Sequence, residues 1–173
     1  VRVRYRTGDR VFRLEYGEAH VAIRAGTMPE EPDNVVQPFL QQQMALVASE
    51  AYAARHGMPK SEADLKNHYF VTHDNDKSRA PFTRWLREMV SDDRFIYRAT
   101  ENRNMQDAIL AGAGIGFVLA QELKLHPELT EVIPRREDWA APLWIVTHVD
   151  LHRTTKVQTF LRFLKDRIKT LEC

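Results

Sequence analysis

Along nearly the whole chain, stretches with the two-residue rhythm of a strand alternate with stretches of helical spacing, which points to an α/β architecture. QMALVAS (43–49) predicts a strand, and Ser49 is placed to cap a helix that runs through Ala54 and stops at Gly57, ahead of Pro59. HYFVTH (68–73) predicts the next strand. Pro81 then suits a first helical turn, with Phe82, Trp85, Leu86, Met89 and Val90 on one apolar face. RFIYRAT (94–100) is a further strand, followed by a helix that Asn104 can cap and that carries Met105, Ala108 and Ile109. FVLA (117–120) returns as a strand, with a short helix over 121–125 and a short strand or loop over 131–134. PLWIVTHV (142–149) is the last strand. Val157, Phe160, Leu161, Leu164, Ile168 and Leu171 mark a long C-terminal amphipathic helix. Such alternation predicts mostly parallel sheets.

The opening of the chain is patterned differently. Val1, Val3 and Tyr5 alternate with Arg2, Arg4 and Arg6, which predicts a strand with one solvated face. Asp9 can cap a short helix carrying Val11, Phe12 and Leu14, with Gly17 as its left-handed stop. HVAIR (20–24) predicts a buried strand, and 25–38, with Pro29, Pro32 and Pro38, predicts a loop. Ser61 and Asp64 have the spacing of a capping box for a short turn.

Composition narrows the function. At 173 residues, 43% hydrophobic and 28% charged, the chain is long enough for one domain, or two small lobes, without staples. No apolar run approaches the roughly 20 residues of a membrane span, and no secretory signal is visible, so a cytoplasmic location is expected. Cys173 is the only cysteine, which rules out an intramolecular disulfide. A net charge of +1 gives no overall signal of nucleic-acid binding. Val1 is not a start methionine, so the sequence reads as part of something longer.

Motifs for catalysis are absent. GAGIG (112–116) has the glycines of a dinucleotide loop, but they follow a helix and precede a strand, the reverse of the order that presents a helix N-terminus to a pyrophosphate. A helix stop and a close backbone approach account for them. His73, Asp74 and Asp76 could gather a cation, and a polar loop explains them equally well. No HxxxH pair falls on a predicted helix, and there is no CxxC and no GxSxG. No cofactor, no metal and no enzymatic activity are therefore expected.

The loops after two strands are more informative, because ligands of open α/β sheets bind at the carboxyl ends of strands. Lys77, Ser78 and Arg79 follow the strand at 68–73, and Glu101, Asn102, Arg103 and Asn104 follow the strand at 94–100; each group precedes a helix start. Unpaired N–H groups there, with Arg, Ser and Asn beside them, suit a small anion. Ordinary capping and solvated charge account for the same residues.

Four passages, in order, resemble one family. LEYGEAHVAIRAG (14–26), MALVASEAYAARHGMPKSEADLKNH (44–68), AILAGAGIGFVLAQEL (108–123) and TTKVQTFLRFLKDRI (154–168) are each similar to the corresponding passage of LysR-type transcriptional regulators. The resemblance implies the effector-binding domain of such a regulator. Its fold would be periplasmic-binding-protein type II-like, with two Rossmann-like lobes joined by two crossing strands and the effector between them. Lobe I would comprise 1–41 plus 141–173, and lobe II 42–140. Carried over by position, the effector contacts would be Thr7, Ser78, Arg79, Phe82, Asn102 and Asn104. The expected partner is a small-molecule effector. DNA would be bound only through a helix-turn-helix domain not included in this sequence, and the full-length protein would be a homodimer or homotetramer. Two departures stand out. The strand and helix with which the family usually begins this domain are missing, so the first lobe is expected to be N-terminally truncated. His20 also stands where the family commonly has aspartate. The rival readings are a solute-binding protein of a transport system, which shares the fold, and a two-lobed enzyme.

Overall fold

A computed structural model describes residues 2–8, 10–75, 78 and 80–169. The chain divides into two compact units, Val1–Gln41 with Pro142–Cys173 and Gln42–Ala141.

The second unit is organised by β3 (Met44–Ser49). Its alternate residues face opposite ways. Leu46 and Ala48 join one buried cluster with Tyr52, Phe70 and Trp139, and Ala45 and Val47 join another with Val71 and Ile109. A strand covered on both faces has no wet side, which is why MALVAS is apolar almost throughout. Antiparallel neighbours flank it, β6 (Gly116–Leu119) through Leu46↔Phe117 and β7 (Leu129–Glu131) through Ala48↔Thr130. Beyond β6 lies a parallel pair, β4 (Phe70–His73) with β5 (Phe95–Ala99). The amide of Val71 donates to the Ile115 carbonyl and that of Ile115 to the Tyr69 carbonyl, both at 2.8 Å, which aligns β4 beside the chain entering β6.

Helices cover both faces. α1 (Glu50–His56) begins as predicted, with Ser49 accepting a hydrogen bond from the Tyr52 amide, and it ends at Gly57, whose φ is 71°. α2 (Pro81–Met89) has proline in its first turn and buries Leu86, with Val90 buried just beyond its end. α3 (Asn102–Leu110) buries Ile109, and α4 (Glu122–Leu125) is a single turn. α3 starts two residues before the predicted cap at Asn104, and Glu101 occupies the cap position without a side-chain bond. The short link from β5 fixes that start more strongly than the preference of asparagine for caps. At Ser61 the capping pattern is half made. Ser61 makes no cap bond, while the Asp64 carboxylate accepts from the Lys60 amide at 3.0 Å.

In the first unit, β1 (Ala22–Ala25) and β2 (Asn34–Gln42) flank β8 (Ala141–His148) in the order β1-β8-β2. A turn, α5 (Val149–His152), leads to α6 (Thr155–Lys169). α6 lays Val157 and Leu161 against Ile145, each burial stabilising by about 2 kcal/mol. Leu171, predicted for the same face, lies outside the described residues.

Several expectations are corrected. Residues 2–8 form no strand, and Val3 and Tyr5 are exposed, because alternation makes a strand only where a neighbouring strand is there to pair with. The short helix predicted around Val11–Leu14 is a 3-10 turn at Leu14–Tyr16 ending at Gly17; Asp9 lies outside the described residues. The strand predicted over 20–24 is shifted to Ala22–Ala25 and is only half buried, since β1 is an edge strand. The predicted loop over 25–38 contains the start of a nine-residue strand, β2. Pro38 is compatible with it because β2 is also an edge, where a missing N–H leaves no partner unpaired. β1–β8, β3–β6 and β3–β7 pair antiparallel, while β4–β5 is parallel, so the expectation of mostly parallel sheets fails for the described residues.

Candidate functional site

β4 and β5 run side by side in the same direction, with His73 opposite Ala99. Their carboxyl ends therefore open at the same edge of the sheet, and the amide of Asp74 donates to the Ala99 carbonyl at 3.0 Å, tying the two exits together. One exit leads to α2 and the other to α3.

At the first exit the His73 imidazole accepts from the Asn75 amide at 2.9 Å, and the Ser78 amide donates to the Asn75 carbonyl at 3.1 Å. Ser78 is half-buried, and its hydroxyl accepts from the Ala80 amide at 3.4 Å. Phe82, in the first turn of α2, is half-buried, and its ring lies 5.0 Å from that of Phe117. Arg79, Asp76 and Lys77 lie outside the described residues. At the second exit Asn102 and Asn104 are exposed in the first turn of α3. Arg103 pairs with Asp107 one turn on, at 3.2 Å, on a largely exposed side chain. Neither helix start carries a side-chain cap. Thr7 belongs to the first unit, exposed in a segment without regular structure. The fold thus gathers Ser78 with Phe82 at one exit and Asn102 with Asn104 at the adjoining one. Among the described residues no group of three or more His, Cys, Asp or Glu could hold a metal ion, and no helix is long and apolar enough to cross a membrane.

The first unit has a depression of its own, lined by Arg10, Phe12, Arg13, Glu18, Arg24 and Glu31 among others. Its charges are largely matched. Arg10 pairs with Glu18 at 2.9 Å and Arg24 with Glu31 at 2.7 Å. The Arg13 amide, then the Arg10 guanidinium, hold the Glu18 carboxyl below the usual range.

Tyr52 and His68 join α1 to the entry of β4. The Tyr52 hydroxyl accepts from the Tyr69 amide at 3.0 Å, which leaves its proton for His68 Nδ1, also at 3.0 Å. That arrangement needs a neutral imidazole with its proton on Nε2. Burial pushes the His68 pKa down, with Asp64 acting the other way and His56 in the same direction. Nothing in the sequence pattern singles out this pair, because the two residues meet only when the sheet forms.

Residues 1–169 match the LysR substrate binding domain family, and the chain belongs to that family. A curated relative, the probable HTH-type transcriptional regulator LtrA of Klebsiella pneumoniae, is 22% identical over 146 residues, covering 78% of this chain. The chain spans 46% of the length of that relative. Among solved structures, the regulatory domain of CrgA, a LysR-type transcriptional regulator from Neisseria meningitidis, is similar with a TM-score of 0.73 at 19% identity, over 89% of this chain and 78% of that one. The AmpR effector binding domain from Citrobacter freundii is similar with a TM-score of 0.71 at 16% identity, over 94% of this chain and 80% of that one. Likeness at such identity speaks for the fold, which is the periplasmic-binding-protein type II-like α/β fold of these domains. LtrA is named as a probable transcriptional regulator and CrgA as a LysR-type one, so the transport and enzyme readings gain nothing from them.

Proposed function

We propose that this chain is the ligand-sensing module of a LysR-type transcriptional regulator and that its effector is contacted at the two strand exits of the second unit. The observation that carries this reading is the parallel β4–β5 pair, whose adjoining exits lead into two helix starts without side-chain caps. Ser78, Arg79 and Phe82 at one exit and Asn102 and Asn104 at the other are the proposed contacts. The two helix starts favour a small anion. Binding would favour one conformation over another, and a DNA-binding domain elsewhere in the full-length regulator, itself a homodimer or homotetramer, would carry the response. No cofactor is required.

A thermal-shift screen against small carboxylates, amino acids, sugars and aromatic metabolites tests the reading. A compound at 100 times its Kd stabilises the protein by about 2.7 kcal/mol. Replacing Asn102 and Asn104 together by alanine should weaken the hit at least tenfold. Unchanged affinity in that variant removes the second exit from the site, and unchanged affinity after charge-neutralising substitution of Arg79 and Arg103 rejects the anion.

A further inference from the structure

The candidate site continues inward from Phe82 as a set of aromatic rings. Phe82 touches Phe117 on β6 at 5.0 Å between centroids, and Phe117 meets Trp139 edge-to-face at 4.9 Å. Trp85, one turn along α2 from Phe82, lies 4.8 Å from Trp139. Phe82, Trp85 and Phe117 are half-buried, whereas Trp139 is fully buried behind them. The Trp139 indole nitrogen has no hydrogen-bond partner. A buried donor left unpaired is costly, and native proteins leave few of them. Arg136 lies over the faces of both tryptophans at about 6 Å and is itself paired with Asp138 at 3.1 Å, with Glu62 at 3.9 Å.

We infer that these rings form a subsite for a planar, unsaturated part of the effector, which presents a neutral carbonyl or amide oxygen to the Trp139 Nε1–H. This rests on the ligand-sensing reading above and adds the chemical class. Planarity follows from the rings themselves: they already touch one another, so a guest takes the place of one that turns aside, and a flat π system makes the same offset or edge-on contacts there where a puckered ring does not. The acceptor follows from the orphan donor. Neutrality follows from the surroundings: Arg136 is already matched by Asp138 and Glu62, so a carboxylate brought into this apolar place would lose its hydration without gaining a free cation. Entry requires one ring of α2, Phe82 or Trp85, to change rotamer.

The chain has three tryptophans, so its indole N–H groups give three separate NMR signals, assignable by single substitutions. Three probes are titrated: benzamide, which is planar and neutral; cyclohexanecarboxamide, with the same acceptor on a puckered ring; and benzoate, planar and charged. Benzamide is expected to bind saturably, to move the Trp139 indole signal downfield, and to bind about tenfold more tightly than cyclohexanecarboxamide, whereas benzoate, which the helix starts can hold as an anion, is expected to leave the Trp139 signal unmoved. Trp139→Phe keeps a ring in place and should weaken benzamide about tenfold; should it fail to fold, the wild-type indole shift alone decides. The inference is overturned if benzamide binds without moving the Trp139 signal, if cyclohexanecarboxamide binds as tightly, or if benzoate moves the Trp139 signal as benzamide does. It is also overturned, with the ligand-sensing reading intact, if benzamide does not bind while a non-planar compound of the wider screen binds saturably with the Trp139 signal unmoved. Absence of saturable binding by any compound, planar or not, counts against both.

Discussion

Replacing Gly112 by alanine should destabilise the second unit by about 2–4 kcal/mol, from two separable causes. Gly112 has a φ of 76°, a left-handed conformation that costs an L side chain about 1 kcal/mol or somewhat more. A Cβ there would also stand 2.5 Å from an Arg55 guanidinium nitrogen, 2.8 Å from the Tyr52 amide nitrogen and 3.0 Å from the Ala51 carbonyl carbon. The arginine can swing away, losing its hydrogen bond to the Gly112 carbonyl, but the backbone of α1 cannot move without disturbing the Tyr52 contacts. Overpacking of that kind typically costs about 1–3 kcal/mol. Gly17 is the control. Its φ is 69°, and nothing lies within 4 Å of its would-be Cβ, so Gly17→Ala carries the conformational cost alone, about 1 kcal/mol. Urea unfolding, followed for each variant in the transition of the unit that carries it, reads the difference. With a slope of about 1–3 kcal/mol per molar, the Gly112→Ala midpoint should fall by about 1–2 M and the Gly17→Ala midpoint by well under 1 M. If the two variants lose the same stability, the close approach of α1 to the glycine turn contributes nothing and the reasoning fails.

Acid should weaken the protein in a window set by His68. Its folded pKa lies below the ordinary value of 6.5, so below about pH 6.5 the unfolded chain binds more protons, and stability falls as pH drops toward the folded pKa. His68→Gln should flatten unfolding free energy against pH in that window while leaving the steeper loss below about pH 4.5, where Glu18, Glu31 and Asp64 take up protons. An unchanged slope between pH 5 and 6.5 would show that His68 is not the group responsible. Ser49→Ala removes the acceptor for the Tyr52 amide at the start of α1 and should cost about 1 kcal/mol in thermal or urea unfolding. A loss below about 0.3 kcal/mol would mean that another group takes over the cap.

Local chemistry wrote much of the fold into the sequence. The run MALVAS announces a strand buried on both sides, Ser49 and Gly57 bound α1, Pro81 opens α2, and the spacing of Val157, Leu161 and Leu164 marks α6. The glycines of GAGIG were legible as a helix stop and a close approach, since only glycine meets both demands at Gly112. Of the candidate site, the sequence could place Ser78, Phe82, Asn102 and Asn104 after strands and near helix starts. It could not show that the two exits adjoin, because that depends on β4 and β5 being parallel neighbours.

The remainder was decided by partners distant along the chain. Pro38 argues against a strand until β2 is known to be an edge, and VRVRYR argues for one until it is seen to have no neighbour among the described residues. Antiparallel pairing of β3 with both β6 and β7 is invisible in patterns that encode only which face of a strand is apolar. The Tyr52–His68 hydrogen bond and the unpaired Trp139 nitrogen likewise exist only once the sheet brings their elements together. Periodicity and capping act over a few residues and can be read directly; pairing, register and burial of polar atoms are long-range energies, and the tertiary structure alone determines them.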